Sequence, residues 1–339
     1  MDMEKVPFLD YREVLVTGGT GFLGRHVCRA LIARGYLPRL LARAGSEERI
    51  PGDIRRASRV TPGDVTNREF VEMAAQSTEA IVHLAGIIRE LPGDGVTFEK
   101  VHVESTRHVV HAANRWGIPR RVHVSALGAA PGGPGDYFDS KGRAEVIVRS
   151  SNLAWTIFRP SGIFGPGDRF LSELGRGVRT SPVFPVPGDG KFLLQPVFVG
   201  DVAKGVADCL FRPDTEKRAF DVVGPERFTY EALVDRIGAA AGRRVRKVHI
   251  SVPRIRRAVR FLSRFGKFPL SPDMLDVLVS GNTGDDGPYT SAFGLTPLRL
   301  SEYIDSVWRT DNSTGESASA GEADSGPRKG GDSRSREAA

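Results

Sequence analysis

Cysteine is nearly absent from this chain, with two in 339 residues, Cys28 and Cys209. They lie far apart, in stretches that read as helical. That excludes a disulfide framework and a zinc site, and makes a reducing, cytoplasmic setting the expectation. Long apolar runs are missing as well. No stretch approaches the roughly 18 apolar residues a membrane-spanning helix needs, and Met1–Asp10 has no apolar core of a secretory leader. Basic stretches interleaved with aromatic residues do not occur, which argues against nucleic acid as a partner. Histidines number seven. His108 and His111 stand three apart on a helical stretch that also holds His102, but only Glu104 lies near them and no cysteine completes a ligand set. No metal is expected.

What is present is an ordinary globular composition, 40% hydrophobic and 26% charged, with a formal charge of +7. The segment from about Thr310 holds six acidic and four basic residues, so the remainder carries roughly +9. A basic body attracts phosphates and anionic lipid. From Asp311 onward Ser, Gly, Glu and Ala dominate without an apolar period, and 309–339 is expected to be disordered.

Short apolar runs alternate with amphipathic stretches over the first half of the chain. Glu13–Thr17, Leu37–Ala42, Arg59–Thr61, Ala80–Leu84, Arg121–Ser125 and Trp155–Arg159 read as strands. Gly24–Arg34, Thr97–Trp116 and Lys141–Arg149 read as helices. Such alternation builds right-handed βαβ units. The fold class is therefore α/β, a Rossmann doubly wound parallel sheet over 12–165 with a smaller C-terminal substrate lobe over 166–308. Gly and Pro become dense from Gly162 to Asp168 and from Pro182 to Gly190, as in loops around a ligand. Helices are expected at Asp201–Leu210, Thr229–Ala241 and Pro253–Phe265, with 192–212 returning to the Rossmann sheet.

The run Thr17-Gly18-Gly19-Thr20-Gly21-Phe22-Leu23-Gly24 follows a strand and opens a helix. Gly18 permits the tight turn, Gly21 lets a pyrophosphate approach the backbone, and Gly24 lets helix and strand pack closely. The positive end of the helix then faces the phosphates. The second strand ends in Leu41-Ala42-Arg43, where NAD sites usually carry a carboxylate for the ribose. The guanidinium of Arg43, assisted by Arg25, suits a 2′-phosphate instead. NADP(H) is favoured over NAD(H).

Tyr137 and Lys141 stand four residues apart, on one face if helical. A tyrosine whose pKa is lowered by a neighbouring cation can exchange a proton with a carbonyl or alcohol while hydride moves. Ser125 ends the fifth strand, at the sheet edge where ligands bind in such folds. These three are the candidate catalytic residues and also candidate cofactor contacts.

Together these motifs resemble the extended and atypical short-chain dehydrogenase/reductase superfamily, from about Glu13 to about Ile304. Within it the chain is most similar to the NAD(P)H-binding accessory subunit of respiratory complex I and its free-standing bacterial relatives. Val82-His83-Leu84-Ala85-Gly86, Val122-His123-Val124-Ser125-Ala126-Leu127-Gly128, the run Arg159–Asp168 and the run Gln195–Ala203 carry that likeness. The resemblance implies that Asp64 and Val65 meet the adenine. It implies that Leu84, Ala85 and Gly86 line the ribose and pyrophosphate, and that Pro160 and Ile163 lie beside the nicotinamide. The chain departs from nucleotide-sugar epimerases after Ser125, where Ala126-Leu127-Gly128 replaces their second serine.

Three readings follow. One is an NADP(H)-dependent oxidoreductase on a small or lipid-like carbonyl or alcohol. Another is a non-catalytic NADPH-binding module of a respiratory or membrane assembly. The third is a nucleotide-sugar epimerase or dehydratase. Helix 253–265, with Ile255, Val259 and Leu262 among Arg254, Arg256, Arg257, Arg260 and Arg264, reads either as a lobe helix packed inward or as a peripheral membrane contact. The sequence leaves the oligomeric state open.

Overall fold

Parallel strands can pair only if each returns through a crossover, and the chain supplies one between each pair of successive strands of its main sheet. The structure, a computed structural model, describes residues 12–262 and 272–307. The expected tail at 309–339, and Arg264 and Phe265 of the basic helix, lie outside these. The first half runs β1 (Glu13–Thr17), α1 (Phe22–Ile32), β2 (Leu37–Ala42), α2 (Gly52–Arg56), β3 (Arg59–Pro62), α3 (Arg68–Ala75) and β4 (Ala80–His83). It continues with α4 (Ser105–Trp116), β5 (Arg120–Val124), α5 (Gly135–Arg149), β6 (Ala154–Pro160) and β7 (Ile163–Phe164). The second half runs α6 (Phe170–Thr180), β8 (Val183–Pro187), β9 (Leu193–Leu194), β10 (Val197–Phe198), α7 (Val199–Asp208), β11 (Arg218–Val222), β12 (Phe228–Thr229) and α8 (Tyr230–Ala240). The remaining elements are β13 (Arg246–Ile250), α9 (Val252–Leu262), α10 (Pro272–Val279) and α11 (Gly287–Phe293).

Seven strands form one parallel sheet in the order β3-β2-β1-β4-β5-β6-β11. The order reverses between β1 and β4, and ligands bind in the crevice such a reversal opens at the carboxyl ends. Both faces of the sheet are buried, so β1, β4 and β5 are continuously buried. One face packs Val27, Cys28 and Leu31 of α1 with Val202 and Val206 of α7. The other packs Val71 of α3 with Val109 and Ala112 of α4. Both cysteines are free and buried. Among the described residues no helix is long and apolar enough to cross a membrane.

Three details differ from the sequence reading. The helix expected from Lys141 starts at Gly135, so Tyr137 and Lys141 share it. The helix expected over Thr97–Trp116 opens as a wider π-turn at Glu99–Glu104 before α4. The segment expected to rejoin the sheet does so through α7, which packs on α1; its strand β10 pairs with β7 instead, and the seventh sheet strand is β11. The lobe has its own core, in which Leu171, Leu174 and Val178 of α6 meet Leu233, Val234 and Ile237 of α8.

Candidate functional site

The turn after β1 is closed by backbone. Gly21 N–H donates to Gly18 O at 3.0 Å, and Gly21 caps α1. Gly18 has φ +74°, and a Cβ there would lie 2.8 Å from Ala85 N. A Cβ on Gly24 would lie 2.2 Å from Gly18 O. The cradle is therefore as tight as a strand-to-helix turn allows. The first-turn N–H groups of α1 have no intrahelical partner, and no acidic residue stands in that turn to compete for an anion. Thr17 is buried, its hydroxyl bonded to His83 Nδ1 at 2.7 Å. Thr20 is half-buried on the turn, Leu23 packs into the core beneath it, and Phe22 lies edge-on to His26 at 5.7 Å.

Arg43 follows β2 and is exposed. Arg25 turns instead toward the lobe, where its guanidinium lies against Gly167. The two arginines are thus not a pair. Asp64 is held near the end of β2, since Gly63 N–H donates to Ala42 O, but its Oδ1 is occupied by the Thr66 N–H and hydroxyl at 2.8 Å. Val65 packs on the α3/α4 core. Leu84 N–H donates to Thr17 O, bringing Ala85 and Gly86 over the glycine turn. Pro160 O accepts from Leu127 N–H, and Ile163 is half-buried in β7, opposite Val197.

At the carboxyl end of β5, Ser125 is buried and its Oγ has no hydrogen-bond partner among the described residues. Lys141 Nζ donates to Val124 O at 3.2 Å and lies 3.0 Å from where a Gly86 Cβ would stand. Lysine and cofactor turn therefore meet. Tyr137, one helical turn earlier, is walled by the rings of Phe98, His102 and Phe138 at 5.2–5.9 Å. Burial pushes the Tyr137 phenol up to about 12 and the Lys141 ammonium down to about 8, the latter partly opposed by Glu145. The expected lowering of the tyrosine by its lysine is thus not met in the protein alone, where burial raises the phenol.

Two contributors were not legible in the motif. His102 Nε2 accepts the Ile87 N–H at 3.0 Å, and its Nδ1 lies 2.9 Å from Ser140 Oγ. The backbone bond fixes the tautomer, with the proton on Nδ1 donated to Ser140. Burial holds the ring neutral, at about 2. Ser140 in turn donates to Tyr137 O. His102 thereby ties the loop after β4 to the first turn of α5, and the π-turn around it is the backbone adjustment that aims it. Glu145 is the second. It is buried one turn beyond Lys141 and bound by Arg159 at 2.6 and 2.8 Å. The spacing Tyr137, Lys141, Glu145 was the available signal. Among the described residues no group of three or more His, Cys, Asp or Glu gathers as for a metal. His108 Nδ1 lies 3.3 Å from Val65 O, and His111 reaches Glu72.

The lobe closes over this edge through Gln195. Its Nε2 donates to Gly224 O, and its Oε1 accepts from Gly284 N–H and Arg227 Nε. Asp168 orders the Gly162–Asp168 loop by accepting from Gly165 and Leu171 N–H.

A family model described as NAD(P)H-binding matches residues 18–213. The chain is 31% identical over 296 residues to subunit 9 of the NADH dehydrogenase [ubiquinone] 1 alpha subcomplex from Rattus norvegicus, covering 84% of this chain and 76% of that one. It is 35% identical over 173 residues to a ceramide reductase from Caulobacter vibrioides, covering 51% and 53%. The chain thus spans only about half of that reductase, and about three-fifths of other curated relatives. In structure it is similar to DesIV, a dTDP-glucose 4,6-dehydratase from Streptomyces venezuelae, with a TM-score of 0.67, 21% identity, and coverage of 89% and 98%. At that identity the likeness speaks for the fold.

Proposed function

The chain belongs to the NAD(P)H-binding family of short-chain dehydrogenase/reductase-like proteins, and from that premise we propose an NADP(H)-dependent oxidoreductase acting on a small or lipid-like carbonyl or alcohol. The observation that carries the reading is Ser125 Oγ, buried and without a partner among the described residues, at the edge it shares with Tyr137 and Lys141. A buried hydroxyl without a partner is costly and is kept where a ligand completes it. The backbone cradle of Gly18, Gly21 and Gly24 fits a pyrophosphate by its closeness.

Bound NADPH would supply the hydride. Ser125 would donate a hydrogen bond to the substrate oxygen and orient it. Tyr137, held protonated by burial, starts in the state needed to give that oxygen its proton. Lys141 anchors α5 to β5 and places positive charge beside the cofactor turn. Arg43 would pair with the 2′-phosphate; among the described residues no carboxylate bonds it. The lipid-like substrate class draws on Ile88 and Leu91, 54% and 43% exposed on the loop after the cofactor turn, and on the ceramide reductase relative. In α9 Val259 is buried, Ile255 is half-buried and Arg256 pairs with Asp276, which favours a lobe helix packed inward. Exposed Arg254, Arg257 and Phe261 leave a peripheral membrane contact as part of the proposal.

The NADH dehydrogenase subunit relatives favour a second reading, in which NADPH locks the fold of an assembly module without turnover. Calorimetric titration of NADPH and NADH into wild type and Arg43→Ala tests the cofactor. Tighter NADPH binding that weakens by about 1–3 kcal/mol in the variant is expected. Equal NADH binding, untouched by the variant, overturns the NADP assignment and returns the epimerase class. A carbonyl screen then separates enzyme from module: turnover abolished in Tyr137→Phe supports the first, and tight NADPH binding without turnover the second.

A further inference from the structure

Behind this site, one face of β5 carries polar groups that the fold does not satisfy. Arg121, His123 and Ser125 alternate along the strand and so point to the same side, toward α4 and α5. Arg121 is 0% exposed, and its Nε, Nη1 and Nη2 have no hydrogen-bond partner among the described residues. Both ring nitrogens of His123 are buried in the same condition. The His123 ring stacks on His83 at 5.4 Å, and His83 is already committed to Thr17, Ser105 and Thr106. In register with Arg121 stand Ile81 and Trp155, which offer no acceptor from their side chains.

The region is rich in donors and in positive charge. A guanidinium brings five N–H groups and no acceptor, and a histidine brings at least one N–H. Lys141, a second buried cation, lies on the same side. The buried acid of this face is Glu145, and its oxygens are taken by Arg159 and, at 3.4 Å, Arg149. A buried charge without a partner is among the costliest things a core can hold. A water could accept from the guanidinium and donate to the acceptor nitrogen of the neutral His123 ring, but it leaves the buried charge uncompensated, whereas an anion accepts from Arg121 and also neutralises it. Val109 shares a core cluster with Ile81, and Val148 with Trp155, the two residues in register with Arg121, and such apolar surroundings suit a small, weakly hydrated ion better than a phosphate.

We propose that a single monatomic anion, with chloride the ion of the right size and charge, is bound between β5, α4 and α5 by the Arg121 guanidinium and the His123 ring. The site is internal and separate from the cofactor cradle, and needs neither cofactor nor substrate to form. It neutralises Arg121, and so lets a strand that ends in Ser125 carry a cation through the core.

Thermal unfolding of the full chain in sodium chloride and in sodium gluconate at matched ionic strength tests it. Ligand that binds only the folded state raises the midpoint with concentration. The wild type is expected to show a chloride-specific rise, lost in Arg121→Met and reduced in Arg121→Lys. Crystals of the wild type soaked in bromide are expected to show an anomalous peak beside the guanidinium, and this measurement decides if Arg121→Met fails to fold. An equal chloride response in wild type and Arg121→Met, or ordered water with no bromide around Arg121, overturns the proposal. None of these outcomes depends on whether Tyr137 is catalytic.

Discussion

Lys141 shows what one buried residue costs and what it is kept for. Burial brings its ammonium from an ordinary 10.5 down to about 8. Below pH 8 the charge is present in both states but desolvated only in the folded one. At about 1.4 kcal/mol per unit this opposes folding by roughly 3 kcal/mol. The penalty fades as pH rises from about 8 to about 10.5, because there only the unfolded chain still binds the proton. Lys141→Met is therefore expected to be more stable than wild type at pH 7 by about 2 kcal/mol, allowing about 1 for the lost bond to Val124 O. That gain should vanish by pH 10.5. Urea unfolding at the two pH values measures it, and a variant less stable at both would mean that the ammonium is solvated in place. Cofactor affinity should fall in the same variant, which would separate the residue's use from its cost.

At the scale of the element, the shape of the glycine turn was legible because most of it is local. Gly21 and Gly24 answer constraints set by Gly18 and Gly19 a few residues away, and Gly18 by its own positive φ, although its close approach to Ala85 N comes from the loop after β4. Gly24→Ala is expected to force the backbone apart, with a Cβ 2.2 Å from Gly18 O and 2.7 Å from Gly19 Cα. Loss of about 1–3 kcal/mol is the scale for overpacking against an unyielding neighbour. NADPH affinity should fall more than tenfold with it. Gly52→Ala is the control, since its Cβ meets only the end of Arg56 at 3.5 Å, and it should be neutral or slightly stabilising. Calorimetry and denaturant titration on both variants check this; equal losses would show that helix propensity, not the close approach, sets the effect. The start of α5 at Gly135 was not legible, because Gly and Pro fill the segment before it and no side chain caps it. The bond from His102 through Ser140 to the Tyr137 carbonyl holds that first turn, and it joins residues 38 apart in the chain. His102 itself read only as one of a run of helical histidines.

Across the whole molecule, the alternation of strands and helices was enough to give the sheet, because each βαβ unit is sequence-local. The long-range joins were not. The seventh strand, Arg218–Val222, pairs with β6 across the whole Gly- and Pro-rich region, and Val197–Phe198 finds Ile163–Phe164 instead of the main sheet. The column of His83, His102 and His123 around β4 and β5 is likewise a product of register, since His83 and His123 stand opposite each other on paired strands. That column gives the fold a common acid sensitivity. Burial lowers all three rings, His102 to about 2 and the others well below 6.5, so each is neutral in the folded protein. As pH falls below 6.5 the unfolded chain takes up a proton at each ring and the folded one does not, and stability falls with pH. With three such groups the slope approaches about 4 kcal/mol per pH unit by pH 5.5, before most carboxylates contribute. Urea unfolding from pH 7.5 to 5.5 should show it. His102→Gln, whose amide can still accept from Ile87 N–H, should lower the slope by about a third whatever it does to stability at neutral pH. A flat profile in the wild type would mean that water reaches the column and that the rings titrate as they do in the unfolded chain. An unchanged slope in the variant would mean that His102 is not one of the groups that titrate.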